Sequence, residues 1–123
     1  MSSDIMKYVG GAMPSSPRVP QVNLLASRQY ISDETNISVE CEWAGYDALI
    51  VCATFGSNIE ASVVVPVAWF AETTSTGRVL VTDPENTKRY GVWQNGSSHV
   101  YLRGAHPAAA HCGVQIFGVL FGE

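Results

Sequence analysis

Three histidines and three cysteines are the side chains here most able to hold a metal or act as nucleophiles. The run His106-Pro107-Ala108-Ala109-Ala110-His111-Cys112, with His99 upstream, places imidazoles and a thiol near one another, a donor set that suits zinc. Its spacing matches no common ligand pattern, and a second pair to close a structural site is missing. The stretch therefore reads as a connecting loop, with His106 and His111 as weak metal candidates, since a threefold assembly could gather three copies of one histidine on its axis. Glu40 and Glu42 fall on the same side of a strand, as a glycosidase pair would. They alternate with apolar neighbours, which makes them the solvated face of that strand. Asp83, Glu85 and Asn86 around Pro84 offer oxygen ligands for calcium, but the same residues favour a plain turn for backbone reasons. There is no Gly-x-Ser-x-Gly elbow, no cysteine in a recognisable catalytic setting and no phosphate-cradling glycine motif. No enzyme and no cofactor are expected.

The aromatic residues suggest recognition rather than catalysis. Tyr90 and Trp93 precede Asn95-Gly96 and Tyr101 follows it, so these three are the candidate glycan contacts at a hairpin tip. The competing reading is packing in a core or interface, where Trp and Tyr are also enriched, and it is the one favoured.

These residues must be positioned by strands. Strand-like runs are Val22–Ile31, Ile37–Trp43, Ala48–Phe55, Ala61–Val67, Arg78–Thr82, Tyr90–Gln94, Ser98–Arg103 and Val114–Phe121. Turn-forming clusters such as Gly56-Ser57-Asn58 and Asp83-Pro84-Glu85-Asn86 separate them. Short strands at this spacing predict an all-β fold, a single antiparallel sandwich or barrel of about eight strands. Clean alternation in Ile37–Trp43 predicts a half-buried strand with Ser38, Glu40 and Glu42 in water. The continuous apolar runs Ala48–Val51 and Val63–Val67 predict central strands, and Val67–Glu72 suits at most one helical turn. Asn95-Gly96 predicts a two-residue type I′ hairpin.

The terminal strand says most about assembly. Val114, Ile116, Gly118 and Leu120 would face one side, with Phe117, Val119 and Phe121 on the other. Both sides are apolar, and one small domain has a single core to offer. Ile116, Phe117, Val119, Leu120 and Phe121 are therefore the candidate oligomer interface, against copies of the same chain.

Composition supports contact over catalysis. Charged residues make up only 15% of the chain, well below the usual quarter, which suits a surface largely buried in contacts. A net charge of −4 and scattered Lys and Arg argue against nucleic acid. Cys41, Cys52 and Cys112 are expected as reduced, buried thiols. No run is long enough to span a membrane, and residues 1–20 lack the apolar core of a secretory signal, so synthesis in the cytoplasm is expected. That first segment is an extended N-terminal arm, turn-rich and stiffened by Pro14, Pro17 and Pro20, ahead of a β-domain over 21–123. Its cluster Ile5, Met6, Tyr8 and Val9 exceeds what a linker needs and reads as an anchor that docks on a partner. The arm is expected to be mobile in the isolated protein.

The order of these segments carries a resemblance. An apolar opening strand, Val22-Asn23-Leu24-Leu25-Ala26, leads to Ile37-Ser38-Val39 and then to Tyr46-Asp47-Ala48-Leu49-Ile50-Val51. Val63-Val64-Val65-Pro66 follows, and the chain closes on Ile116-Phe117-Gly118-Val119-Leu120. In this order and spacing, Gln21–Glu123 resembles the module common at the C-terminal ends of bacteriophage tail-fibre and tail-tip proteins. The resemblance implies an all-β virion structural protein, usually trimeric, working in particle architecture or host attachment. Its partners would be capsid or tail proteins, and a carbohydrate-recognising receptor-binding tip is the alternative role. Such modules usually end long fibrous chains. Here only the short arm precedes the module, which adds capsid decoration or a head fibre to the expected roles.

Overall fold

β-branched and aromatic residues dominate the strand segments, as a pleated, half-buried surface requires. The computed structural model describes residues 19–29, 31, 35–55, 58–82, 89–104 and 113–122. Within these, the strands are β1 (Gln21–Gln29), β2 (Ile37–Glu40), β3 (Ala48–Phe55), β4 (Asn58–Pro66), β5 (Val79–Thr82), β6 (Arg89–Gln94), β7 (His99–Gly104) and β8 (Gly113–Leu120). A single helical turn, α1 (Val67–Phe70), follows β4.

The eight strands form two antiparallel four-stranded sheets, ordered β1-β8-β3-β4 and β2-β7-β6-β5. The fold is thus an all-β sandwich, as the strand spacing predicts. The first sheet contributes Leu49, Val51, Ala53, Val65, Val114 and Ile116 to the core, and the second contributes Val81, Tyr90, Val92, Val100 and Leu102. Ile31, Cys41, Trp43 and Phe70 fill the space between the sheets from the connections. Each fully buried large apolar side chain contributes roughly 1.5–3 kcal/mol relative to exposure, so this shared core is the main source of stability.

Connections are tied down by a few specific bonds. Trp43 Nε1 donates to the carbonyls of Gly96 (2.7 Å) and His99 (3.1 Å), and its ring meets Phe70 edge-on with centroids 5.0 Å apart. Thr73 Oγ1 donates to the Phe70 carbonyl at 2.6 Å and accepts the Gln94 N–H at 2.9 Å, fastening α1 to β6.

Two strand-level expectations need correction. β4 is an edge strand, not a central one, although β3 is central as its apolar run predicts. The connection after β6 is also not a two-residue turn. Residues 95–98 link Gln94 to His99, closed by Asn95 N–H to the His99 carbonyl at 3.0 Å, with Gly96 at φ 86°. Trp43, bonded to carbonyls on both sides of this loop, favours the wider turn because it satisfies both acceptors at once.

Candidate assembly surface

Register, rather than any single residue, builds the most distinctive surface. On the outer face of the first sheet, pairing places Val22 beside Val119, Val119 beside Ala48, and Ala48 beside Pro66. The next row runs Leu24, Phe117, Ile50, Val64 in the same strand order. Both rows are wholly apolar from one edge of the sheet to the other. The third row, Ser27, Gln115, Cys52 and Ser62, turns polar. Val22 is 53% exposed, Leu24 55% and Val64 64%, so water meets hydrocarbon at both edges of the patch. Phe121 continues the alternation of Phe117 and Val119 beyond the end of β8 and is also exposed.

Local chemistry holds these rows in register. Leu25 is the extra residue of a bulge in β1, so Val22 and Leu24 point outward while Leu25 and Ala26 turn toward the core. At Gly118 a Cβ would stand 2.6 Å from the Tyr46 ring and 2.8 Å from Leu25 Cδ1, so only glycine lets that ring lie under β8. Tyr46 accepts a hydrogen bond from Asn23 Nδ2 at 3.1 Å. Asp47 accepts the Phe121 N–H at 2.8 Å, and its own N–H donates to the Val119 carbonyl at 2.9 Å. The Tyr46-Asp47 pair thus clamps the end of β8 beside the first apolar row.

The candidate interface on β8 divides between the two faces of its sheet. Phe117 and Val119 lie on the outer side of the sheet, Phe117 half-buried and Val119 buried, and Phe121 beyond the strand is exposed. Ile116 does not lie on that side: it is buried in the core between the sheets, which removes it from the interface set. Leu120 shares the face of Ile116 and is half-buried at the sheet end. Sequence reading omitted Val22, Leu24, Ile50 and Val64, whose outward apolar positions became visible only once the strand order set them beside Phe117.

The other sheet has a different outer face. Ser38 and Glu40 on β2, His99, Tyr101 and Arg103 on β7, and Arg89 on β6 make it polar. Trp93 lies within it between Tyr101, whose ring is 5.5 Å away, and the Arg78 guanidinium, 5.7 Å from its ring centre. That stack buries Trp93, and Tyr90 faces inward and is fully buried. Neither can present a free ring to a sugar, which corrects two of the three candidate glycan contacts. Tyr101 remains half-buried. The strongly exposed aromatic in this part of the molecule is Trp69 of α1, at 75%. It borders a groove of about 590 Å³ between β4 and β5 that Val63, Val65, Pro66, Val79 and Leu80 help to line.

Cys41 and Cys52 are free and buried. Burial, with a smaller contribution from the charge of Glu42, pushes the Cys41 thiol up to about 12, and burial raises Cys52 as well. Both are inert neutral thiols at physiological pH. No three metal-binding side chains gather among the described residues, and none of their helices could cross a membrane. His106, His111, Cys112, the turn 83–86 and the anchor residues Ile5, Met6, Tyr8 and Val9 lie outside the described residues. No family model, curated protein or solved structure matches the chain.

Proposed function

We propose that this chain is a non-enzymatic structural protein of a bacteriophage virion. It attaches to the particle through its N-terminal arm and displays a β-domain that assembles with copies of itself. One observation carries the reading: two apolar rows cross the whole outer face of the β1-β8-β3-β4 sheet and end in exposed Val22, Leu24 and Val64. A contiguous apolar face of this kind marks an interaction surface, because leaving it in water forfeits the free energy that association would gain. Exposed hydrocarbon lies at the two edges of the patch, at Val22, Leu24 and Val64, while Ala48 and Val119 in its middle are already buried. The motif order that resembles tail-fibre modules supplies the phage setting and the number three.

Light scattering on the purified protein, paired with labelled electron microscopy of intact particles, tests the proposal. A stable oligomer at micromolar concentration and a regular array of label on the capsid or tail are expected. A monomer of 13.2 kDa that is missing from particles overturns it.

A further inference from the structure

The groove between β4 and β5 is an unfinished flank of the sandwich. Both strands are sheet edges, so each carries backbone groups unmatched by a neighbouring strand among the described residues. Val63 and Val79 belong to the core side of their strands yet remain only half-buried, and Trp69 and Leu80 stand exposed at the mouth. The groove lining is apolar apart from Glu72, Thr73 and Arg78 near one end.

We propose that residues 5–9 of the same chain dock in this groove as an extended segment and close the flank. The segment has the required chemistry. Ile5, Met6, Tyr8 and Val9 supply apolar side chains, and Lys7 with Asp4 just ahead of the segment carries charges opposite to Glu72 and Arg78. Its length also fits. Five extended residues span about 17 Å, comparable to the stretches 63–66 and 77–80 that line the groove.

The path from the domain is short enough. Val22 shares a row with Pro66, three strand spacings or about 14 Å away, so the chain enters β1 at the end of the sheet where α1 lies. Residues 10–20, stiffened by Pro14, Pro17 and Pro20, can span up to about 34 Å in an extended proline-type conformation. A tether of that length holds the segment near its groove at millimolar-order effective concentration. Main-chain bonds to a sheet edge would add affinity, with apolar pockets selecting the side chains. In the isolated protein this holds residues 5–9 against the domain, in place of the mobility expected of the arm from its composition. Attachment to a particle would require the segment to leave the groove, but the docking itself does not depend on the particle.

Amide hydrogen exchange on the full-length protein tests this, comparing wild type with the double variant Ile5→Asp/Tyr8→Asp. The slowest amides among Val63–Val65 and Val79–Leu80 that point away from β3 and β6 should exchange at least about tenfold faster in the variant. Core amides such as Val51 and Ile116 should not change, which shows the fold intact. Trp69→Ala, at an exposed position, should weaken the same protection. Equal exchange in wild type and double variant overturns the proposal. Protection that disappears on dilution assigns the groove to a neighbouring copy and overturns the same-chain docking.

Discussion

Cys41 shows how completely one position is committed to packing. It lies between the sheets beside Trp43 and Phe70, and its thiol keeps its proton up to about 12, against 9.0 for an unperturbed thiol. In the window between those values the unfolded chain binds fewer protons than the native one. Stability is therefore fully supported below about 9 and falls as pH rises through the window, by up to about 1.4 kcal/mol per pH unit from this group. Urea denaturation at about pH 8 and about pH 11 should show a stability loss that is smaller in Cys41→Ala. An equal loss in both proteins would show that Cys41 does not set the alkaline limit. Gly118 and Asp47 work by different means: one makes room for a ring and the other accepts the last N–H beyond β8.

Among the elements, β8 has the largest role because it lies between β1 and β3 rather than at an edge. One of its faces completes the core through Val114 and Ile116, and the other carries Phe117 and Val119 into the apolar rows. Leu24 and Val64 end the same row on the flanking edge strands, exposed and outside the core. Leu24→Lys combined with Val64→Lys should convert the oligomer to a monomer. Each change should alter domain stability by no more than about 0.5 kcal/mol, the usual range for exposed sites. Light scattering and denaturation measured together check this. An oligomer that survives both charges would place the contact elsewhere. By contrast, a charge at Ile116 should unfold the domain, since it would be buried without a partner.

For the molecule as a whole, the proposed function divides the labour between the arm and the sandwich. The core of the described residues draws on both sheets and every long connection described. Deleting residues 2–13 should therefore leave a folded, oligomeric domain by circular dichroism and light scattering. The same deletion should abolish incorporation into particles, measured as copies per virion. Incorporation at full occupancy would move the attachment onto the β-domain and overturn the arm's role as anchor.

Strand positions and fold class were legible from the sequence because they depend on local quantities. Period-two alternation in Ile37–Trp43, of which β2 takes only Ile37–Glu40, the β-branched runs at Ala48–Phe55 and Ala61–Val67, the last of which ends as strand at Pro66, and the turn residues between them determine where strands form. The same locality explains the single helical turn after Pro66. Sheet membership, strand order and register were not legible, since they depend on pairings between residues far apart in the chain. Val64 reads as part of a central strand until β4 is seen at an edge. Tyr90 and Trp93 read as neighbours of a hairpin tip until one faces the core and the other lies under Arg78 and Tyr101. The apolar surface is the clearest case. Val22, Leu24, Ile50 and Val64 become one patch with Phe117 and Val119 only when antiparallel pairing sets β1 and β3 beside β8 and β4 beside β3, a choice made by the core that the two sheets share.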